Sequence, residues 1–199
     1  MPRLFVALQL PHPLRQAVQE LQSGLRTARW LDQDDLHLTL AFIGEVDGST
    51  QPRIEAALAD VTARRLRLEL HGLGCFPPRG APRVLWTSAS PRDELVALAQ
   101  AVRRTLGRAG LTPERRRFMP HVTFARFRRP PTAAELERYL GMHSLFRTIQ
   151  ADVSSVHLFS SVLRGSGARY TIEATFRLTD HTSGTVRNEG AGQNPEPPQ

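Results

Sequence analysis

The spacing of apolar positions changes several times along the chain, and each change marks an element. Arg3 to Leu10 is a short, almost continuous apolar run that reads as a strand, ended by Pro11 and Pro13. A helix follows, with Leu14, Val18, Leu21 and Leu25 at helical spacing. Leu36 to Ile43 alternates, placing Leu36, Leu38, Leu40 and Phe42 on one face and His37, Thr39 and Ala41 on the other. Ile54, Leu58 and Val61 mark a second helix, and Leu66, Leu68 and Leu70 another alternating strand. Beyond a proline-rich loop at 76–82, Arg83 to Ser88 reads as a strand, and Leu95, Leu98, Val102 and Leu106 as a helix closed by Gly110.

The second half repeats this grammar. A proline-flanked loop at 112–120 leads into an alternating strand, His121 to Phe127, and a short helix, Ala133 to Leu140. Val153–Leu163 and Ala168–Leu178 read as a hairpin turning at Arg164-Gly-Ser-Gly. From about Thr182 the chain lacks apolar residues to pack and reads as an unstructured tail, residues 182–199, after one domain at 1–181. Strands arrive both consecutively and separated by helices, which predicts an α+β fold with antiparallel pairing. No glycine-rich loop follows the first strand, so a dinucleotide-binding fold is not indicated.

Composition narrows the chemistry. The 199 residues are 40% hydrophobic and 23% charged, with no apolar run of the roughly 20 residues a membrane helix needs and no signal-peptide pattern. A cytoplasmic protein is expected. All 26 basic residues are arginine, which excludes a phosphate-loop lysine, a Schiff-base lysine and a lysine–nucleotidyl intermediate. The single cysteine, Cys75, excludes an intramolecular disulfide and cysteine-rich metal sites, and reads as a small buried hydrophobe. The net charge is +7, yet residues 101–130 alone carry nine arginines against Glu114. Guanidinium forks match phosphate oxygens, so this window predicts a polyanionic partner, RNA foremost.

One motif carries chemistry. His37-Leu-Thr-Leu-Ala and His121-Val-Thr-Phe-Ala share a pattern 84 residues apart. With its apolar flanks, such a duplication is expected by chance about 0.003 times at this composition. In a strand, residues i and i+2 share a face, so each motif aims an imidazole and a hydroxyl the same way while its apolar residues anchor the other side. Two such strands across a cleft would flank a phosphorus atom with a base and an acid, the Thr39 and Thr123 hydroxyls reaching non-bridging oxygens. Histidine suits both roles because its ordinary pKa is about 6.5. Two histidines without a carboxylate on the same strand faces make a poor divalent site; Asp32, Asp34 and Asp35 precede the first strand.

These duplicated strands resemble the 2H phosphoesterase superfamily, and more closely its RNA 2′,3′-cyclic phosphodiesterase branch, also called 2′-5′ RNA ligase. Arg3-Leu-Phe-Val-Ala-Leu, Trp30, Phe76-Pro, Arg83-Val-Leu-Trp, Pro120-His-Val-Thr-Phe-Ala-Arg and Leu158-Phe-Ser-Ser extend the likeness over residues 2–180. The resemblance implies two pseudo-symmetric lobes of antiparallel sheet and helices around a central cleft, and no metal or nucleotide cofactor. It implies His37 as the acid for the leaving 3′ oxygen, His121 as the base for water, and RNA with 2′,3′-cyclic phosphate ends as substrate. Ligation to a 5′-hydroxyl on the same histidines, non-catalytic binding of RNA ends, and hydrolysis of a small cyclic nucleotide derivative remain alternatives. Arg126 matches the family's arginine after the second motif. Its parity turns it away from His121 on a regular strand, so either a bulge brings it round or it meets RNA outside the cleft. Phe5, Phe42 and Trp30 are candidates for the core or for stacking on a base, and Phe5 and Phe42 are expected as substrate contacts. A monomer is expected.

Overall fold

The computed structural model describes residues 3–114, 117–164 and 167–179. The expected tail, the tip of the expected hairpin, and Arg115 and Arg116 of the basic loop lie outside them. The elements run β1 (Arg3–Gln9), α1 (His12–Gln19), β2 (Ala28–Trp30), β3 (His37–Glu45), α2 (Gln51–Ala59), β4 (Leu66–Phe76), β5 (Val84–Ser90), α3 (Arg92–Arg108), β6 (His121–Phe127), α4 (Ala133–Met142), β7 (Ala151–Val153), β8 (Ser155–Arg164) and β9 (Gly167–Arg177). They form two antiparallel sheets, ordered β3-β1-β8-β9 and β2-β6-β5-β4-β7. The fold is α+β, as the sequence pattern predicts.

Each sheet contains a strand–helix–strand–helix unit, β1-α1-β3-α2 in one and β5-α3-β6-α4 in the other, with β2 inserted in the first. In both, the helix-flanked strand pairs directly with a histidine-bearing strand. The chain interleaves the lobes: the first sheet joins both ends of the chain, while β2 crosses to pair with β6 in the second.

One continuous core lies beneath both sheets. Leu4, Val6 and Leu8 of β1, Leu38 and Leu40 of β3, Leu68 and Leu70 of β4, Leu85 of β5 and Val122 and Phe124 of β6 are buried there with Leu14, Val18, Leu58, Leu95, Leu98 and Val102 of the helices. Burying one such side chain stabilises the fold by about 1.5–3 kcal/mol. The opposite faces of the sheets carry the functional residues.

Three differences from the sequence pattern have physical causes. Helix α1 stops at Gln19 although Leu21 and Leu25 continue its period and are buried; the chain turns at Gly24, whose φ of +82° suits glycine. Strand β4 continues through the apparently irregular His71–Phe76. Cys75 is only half-buried, its thiol donating to the Pro77 carbonyl at 3.8 Å, rather than fully enclosed.

Candidate active site

The two histidine strands carry the same irregularity. In the β1–β3 ladder, Val6 pairs with Ala41 but Ala7 with Thr39, leaving Leu40 as an extra residue. In the β5–β6 ladder, Leu85 pairs with Ala125 but Trp86 with Thr123, leaving Phe124 extra. A one-residue bulge inverts the alternation beyond it. Consequently Leu40 and Ala41, and likewise Phe124 and Ala125, are both buried, and the following residue turns outward. Phe42 therefore leaves the Leu36–Leu38–Leu40 face that strict alternation assigns it and is 51% exposed on the histidine face. Arg126 comes round in the same way, so the bulge is what resolves its parity.

The imidazoles are held alike. His37 Nδ1 donates to the Asp35 carbonyl at 2.7 Å, and His121 Nδ1 to the Met119 carbonyl at 2.7 Å. A carbonyl only accepts, so each ring keeps its proton on Nδ1 and presents the Nε2 lone pair. Both rings rest on aromatic groups. Phe5, Phe159 and Tyr170 lie 4.9–5.8 Å from His37, ring centre to ring centre, and Phe76 and Trp86 lie 5.2 and 6.1 Å from His121.

Phe5 is only 2% exposed, so it offers no face to a base; its observed place is under His37, which corrects the stacking expectation for it. Trp30 is half-buried, stacked on Phe124 at 6.2 Å and packed on Tyr139 at the margin of the core. Sequence reasoning did not foresee the supporting roles of Phe159, Tyr170, Phe76 and Trp86, which become neighbours of the histidines only through strand pairing. Trp86 fits because β4 has Gly74 beneath it; a Cβ there would lie 2.3 Å from the indole.

Strands β3 and β6, one from each sheet, are in contact with each other. Burial, with the charges of Arg126 and His121, pushes His37 down to about 4. Burial also lowers His121. Arg126, from the end of β6, thus bears on His37 at the start of β3, while the loop entering His121 is tied to the far part of β3 by the Glu114 N–H donating to the Phe42 carbonyl at 3.2 Å. The Phe42 ring lies 5.8 Å from Phe5, the ring beneath His37, centre to centre. Thr39 and Thr123 share the faces of their histidines, and neither hydroxyl is bonded to another described protein group. Among the described residues no three His, Cys, Asp or Glu side chains converge as a metal site would require, and no helix is long and apolar enough to cross a membrane.

Comparison with known proteins reaches the same architecture. The family model described as the 2′-5′ RNA ligase superfamily matches residues 10–164. The chain belongs to that superfamily. The RNA 2′,3′-cyclic phosphodiesterase of Aeropyrum pernix is 35% identical over 157 residues, 78% of this chain and 88% of that one. The protein of the same description from Archaeoglobus fulgidus is 31% identical over 172 residues, 84% and 96% of the two chains. Among solved structures, TT0787 of Thermus thermophilus superposes with a TM-score of 0.76 at 26% identity, covering 90% of this chain and 99% of that one. E. coli LigT complexed with 3′-AMP gives 0.70 at 26% identity, over 90% and 99%.

Proposed function

We propose that this superfamily member hydrolyses the 2′,3′-cyclic phosphate at an RNA end to a 2′-phosphomonoester, with His37 and His121 as acid and base. The observation that carries this reading is the matched pair of imidazoles on equivalent strands, each with Nδ1 tied to a carbonyl and Nε2 left for chemistry. The relatives described as RNA 2′,3′-cyclic phosphodiesterases support the reaction class.

In the proposed step, His121 Nε2 takes a proton from water as its oxygen bonds to phosphorus. The P–O3′ bond breaks as His37, in the imidazolium form that the bound phosphate anion favours, delivers its Nε2 proton to the 3′ oxygen and leaves the phosphate on the 2′ oxygen; the ring is then the neutral Nδ1–H tautomer held by the Asp35 carbonyl. That assignment of acid and base follows the family resemblance. In this reading the Thr39 and Thr123 hydroxyls donate to the non-bridging oxygens and Arg126 balances their charge. Phe42 is the exposed ring at hand for a base. The reverse chemistry, a 5′-hydroxyl replacing water to give a 2′-5′ bond, uses the same two groups.

Incubation of 2′,3′-cyclic AMP with the protein and excess chelator tests the reading. Turnover to 2′-AMP is expected. Binding without turnover would make the protein a receptor for RNA ends, and turnover to 3′-AMP would overturn the proposed bond cleavage.

A further inference from the structure

Strand β2 puts a second arginine beside Arg126. In the β2–β6 ladder Arg29 stands directly opposite Arg126. In the β5–β6 ladder Arg126 is opposite Val84, two residues before Trp86, which pairs with Thr123. Residues opposite each other in a ladder share a face, as do residues i and i+2 along a strand. Arg29 and Arg126 therefore project from the face of the second sheet that carries His121 and Thr123, while Trp30 and Ala125 turn towards the core.

Like charges directly opposite in a sheet repel, so this pair costs the fold stability. Both residues are exposed, and neither makes a hydrogen bond or ion pair with another described group. The carboxylates nearby do not quench the pair: Asp34 is bonded to Arg15 at 2.9 Å, and neither Asp32 nor Asp35 is within ion-pair reach of Arg29. Burial, Asp32 and Asp34 raise the Asp35 carboxyl, while the charges of Arg29 and, from the first sheet, Arg169 draw it down. Tyr170, the residue after Arg169, lies edge-on to His37 at 4.9 Å, and the Asp35 carbonyl holds the same imidazole. Arginines of β2, β6 and β9 thus all act on the segment that positions His37.

We infer that Arg29, beside Arg126, binds the phosphate on the 5′ oxygen of the terminal nucleotide, the linkage to the rest of an RNA chain, an inference that rests on the proposed cyclic phosphodiester chemistry. Three features select that occupant. Guanidinium groups present planar donor forks that match phosphate oxygens. Arg29 lies on the edge strand, about 4.8 Å further out than Arg126, so it is set for the next phosphate rather than the reacting one. An anion held there also offsets the repulsion between the two cations, which no described carboxylate does.

Arg29→Gln removes the charge, and Arg29→Lys keeps it. The wild type and both variants would be compared on 2′,3′-cyclic AMP, on the same nucleotide carrying a 5′-phosphate, and on the dinucleotide ApA ending in a 2′,3′-cyclic phosphate. Thermal melts accompany the kinetics.

The wild type is expected to favour the second and third substrates over the first in kcat/KM, by a margin that shrinks with added salt. Arg29→Gln should lower kcat/KM for those two by about 3- to 30-fold, mainly through KM, and leave 2′,3′-cyclic AMP unchanged. Arg29→Lys should retain most of the preference. The melting temperature of Arg29→Gln should hold or rise, because the repulsion across the ladder is gone. An undiminished preference in Arg29→Gln would overturn the subsite. An equal loss on all three substrates would also overturn it, by placing Arg29 at the reacting phosphate or in the support of the fold. A loss confined to the 5′-monophosphate would overturn the link to an RNA chain. Failure of the wild type to turn over any of the three would overturn the chemistry itself, and the subsite with it.

Discussion

A histidine surrounded by aromatic rings is a poor place for a proton, and the pH dependence of the reaction should record that. Burial is the largest cause that lowers both His37 and His121, with Arg126 adding to it at His37. A lowered histidine pKa keeps the ring neutral to lower pH, so the limbs governing the free protein move towards acid. The profile of kcat/KM is therefore expected to be bell-shaped with its optimum below about pH 6.5, the ordinary histidine value. A bound phosphate anion favours the imidazolium, so the kcat profile should peak at higher pH. A kcat/KM profile with a single limb rising to about pH 9 would remove the acid/base pair. The limbs belong to the pair rather than to one residue. His37→Ala or His121→Ala should each cut turnover by about 10²–10⁴-fold in a folded protein. Thr39→Val and Thr123→Val remove a donor but no titrating group, so each should lower the bell, by about 10–10³-fold, with little movement of its limbs.

At the scale of the elements, the bulges at Leu40 and Phe124 decide what faces the cleft. The alternating pattern of His37–Ile43 and His121–Phe127 was enough to locate both strands and both histidines. It was not enough to orient Phe42, because period-two alternation looks the same up to the residue where it slips. The visible trace is a pair of adjacent apolar residues, Leu40-Ala41 and Phe124-Ala125, which a single sequence offers equally to a bulge or to a wobble in composition. Strands β2 and β7 have three residues each, too few to show a period. The aromatic supports were illegible for a different reason: Phe159 and Tyr170 reach His37 from more than 120 positions away, through pairings that no local pattern encodes. The support under His121 is the sharper test of this scale. Gly74→Ala drives a methyl into the Trp86 indole, so the melting temperature should fall with a loss of about 1–3 kcal/mol, and turnover should fall with it as the ring under His121 shifts. An unchanged melt and unchanged kcat would mean that the indole moves freely and supports nothing.

For the whole molecule, the charge has a geography that the net value of +7 conceals. Arg103, Arg104, Arg108 and Arg117 belong to α3 and the loop entering His121, whereas Arg126, Arg128 and Arg129 lie at the other end of β6, with Arg29 on β2 beside it and Arg83, just before β5, accepting from the Phe127 N–H. Arginines thus stand both before and after the second histidine motif in the chain, an arrangement suited to a polyanion that extends past the reacting phosphate in at least one direction. A cyclic mononucleotide brings one phosphate and has no use for the outer arginines. Neutralising Arg115, Arg116 and Arg117 together is therefore expected to weaken oligonucleotide binding and flatten its dependence on salt. The slope of log K against log salt should fall by about 2 if all three meet phosphates of a single strand, each contact releasing roughly 0.7 of a counterion. Hydrolysis of 2′,3′-cyclic AMP should change little in the same variant. Titration of a labelled oligonucleotide across a salt series, beside the mononucleotide assay, separates the outcomes. An unaltered slope would mean that the loop is only a solvated basic surface, and equal losses on both substrates would place these arginines at the reacting phosphate itself.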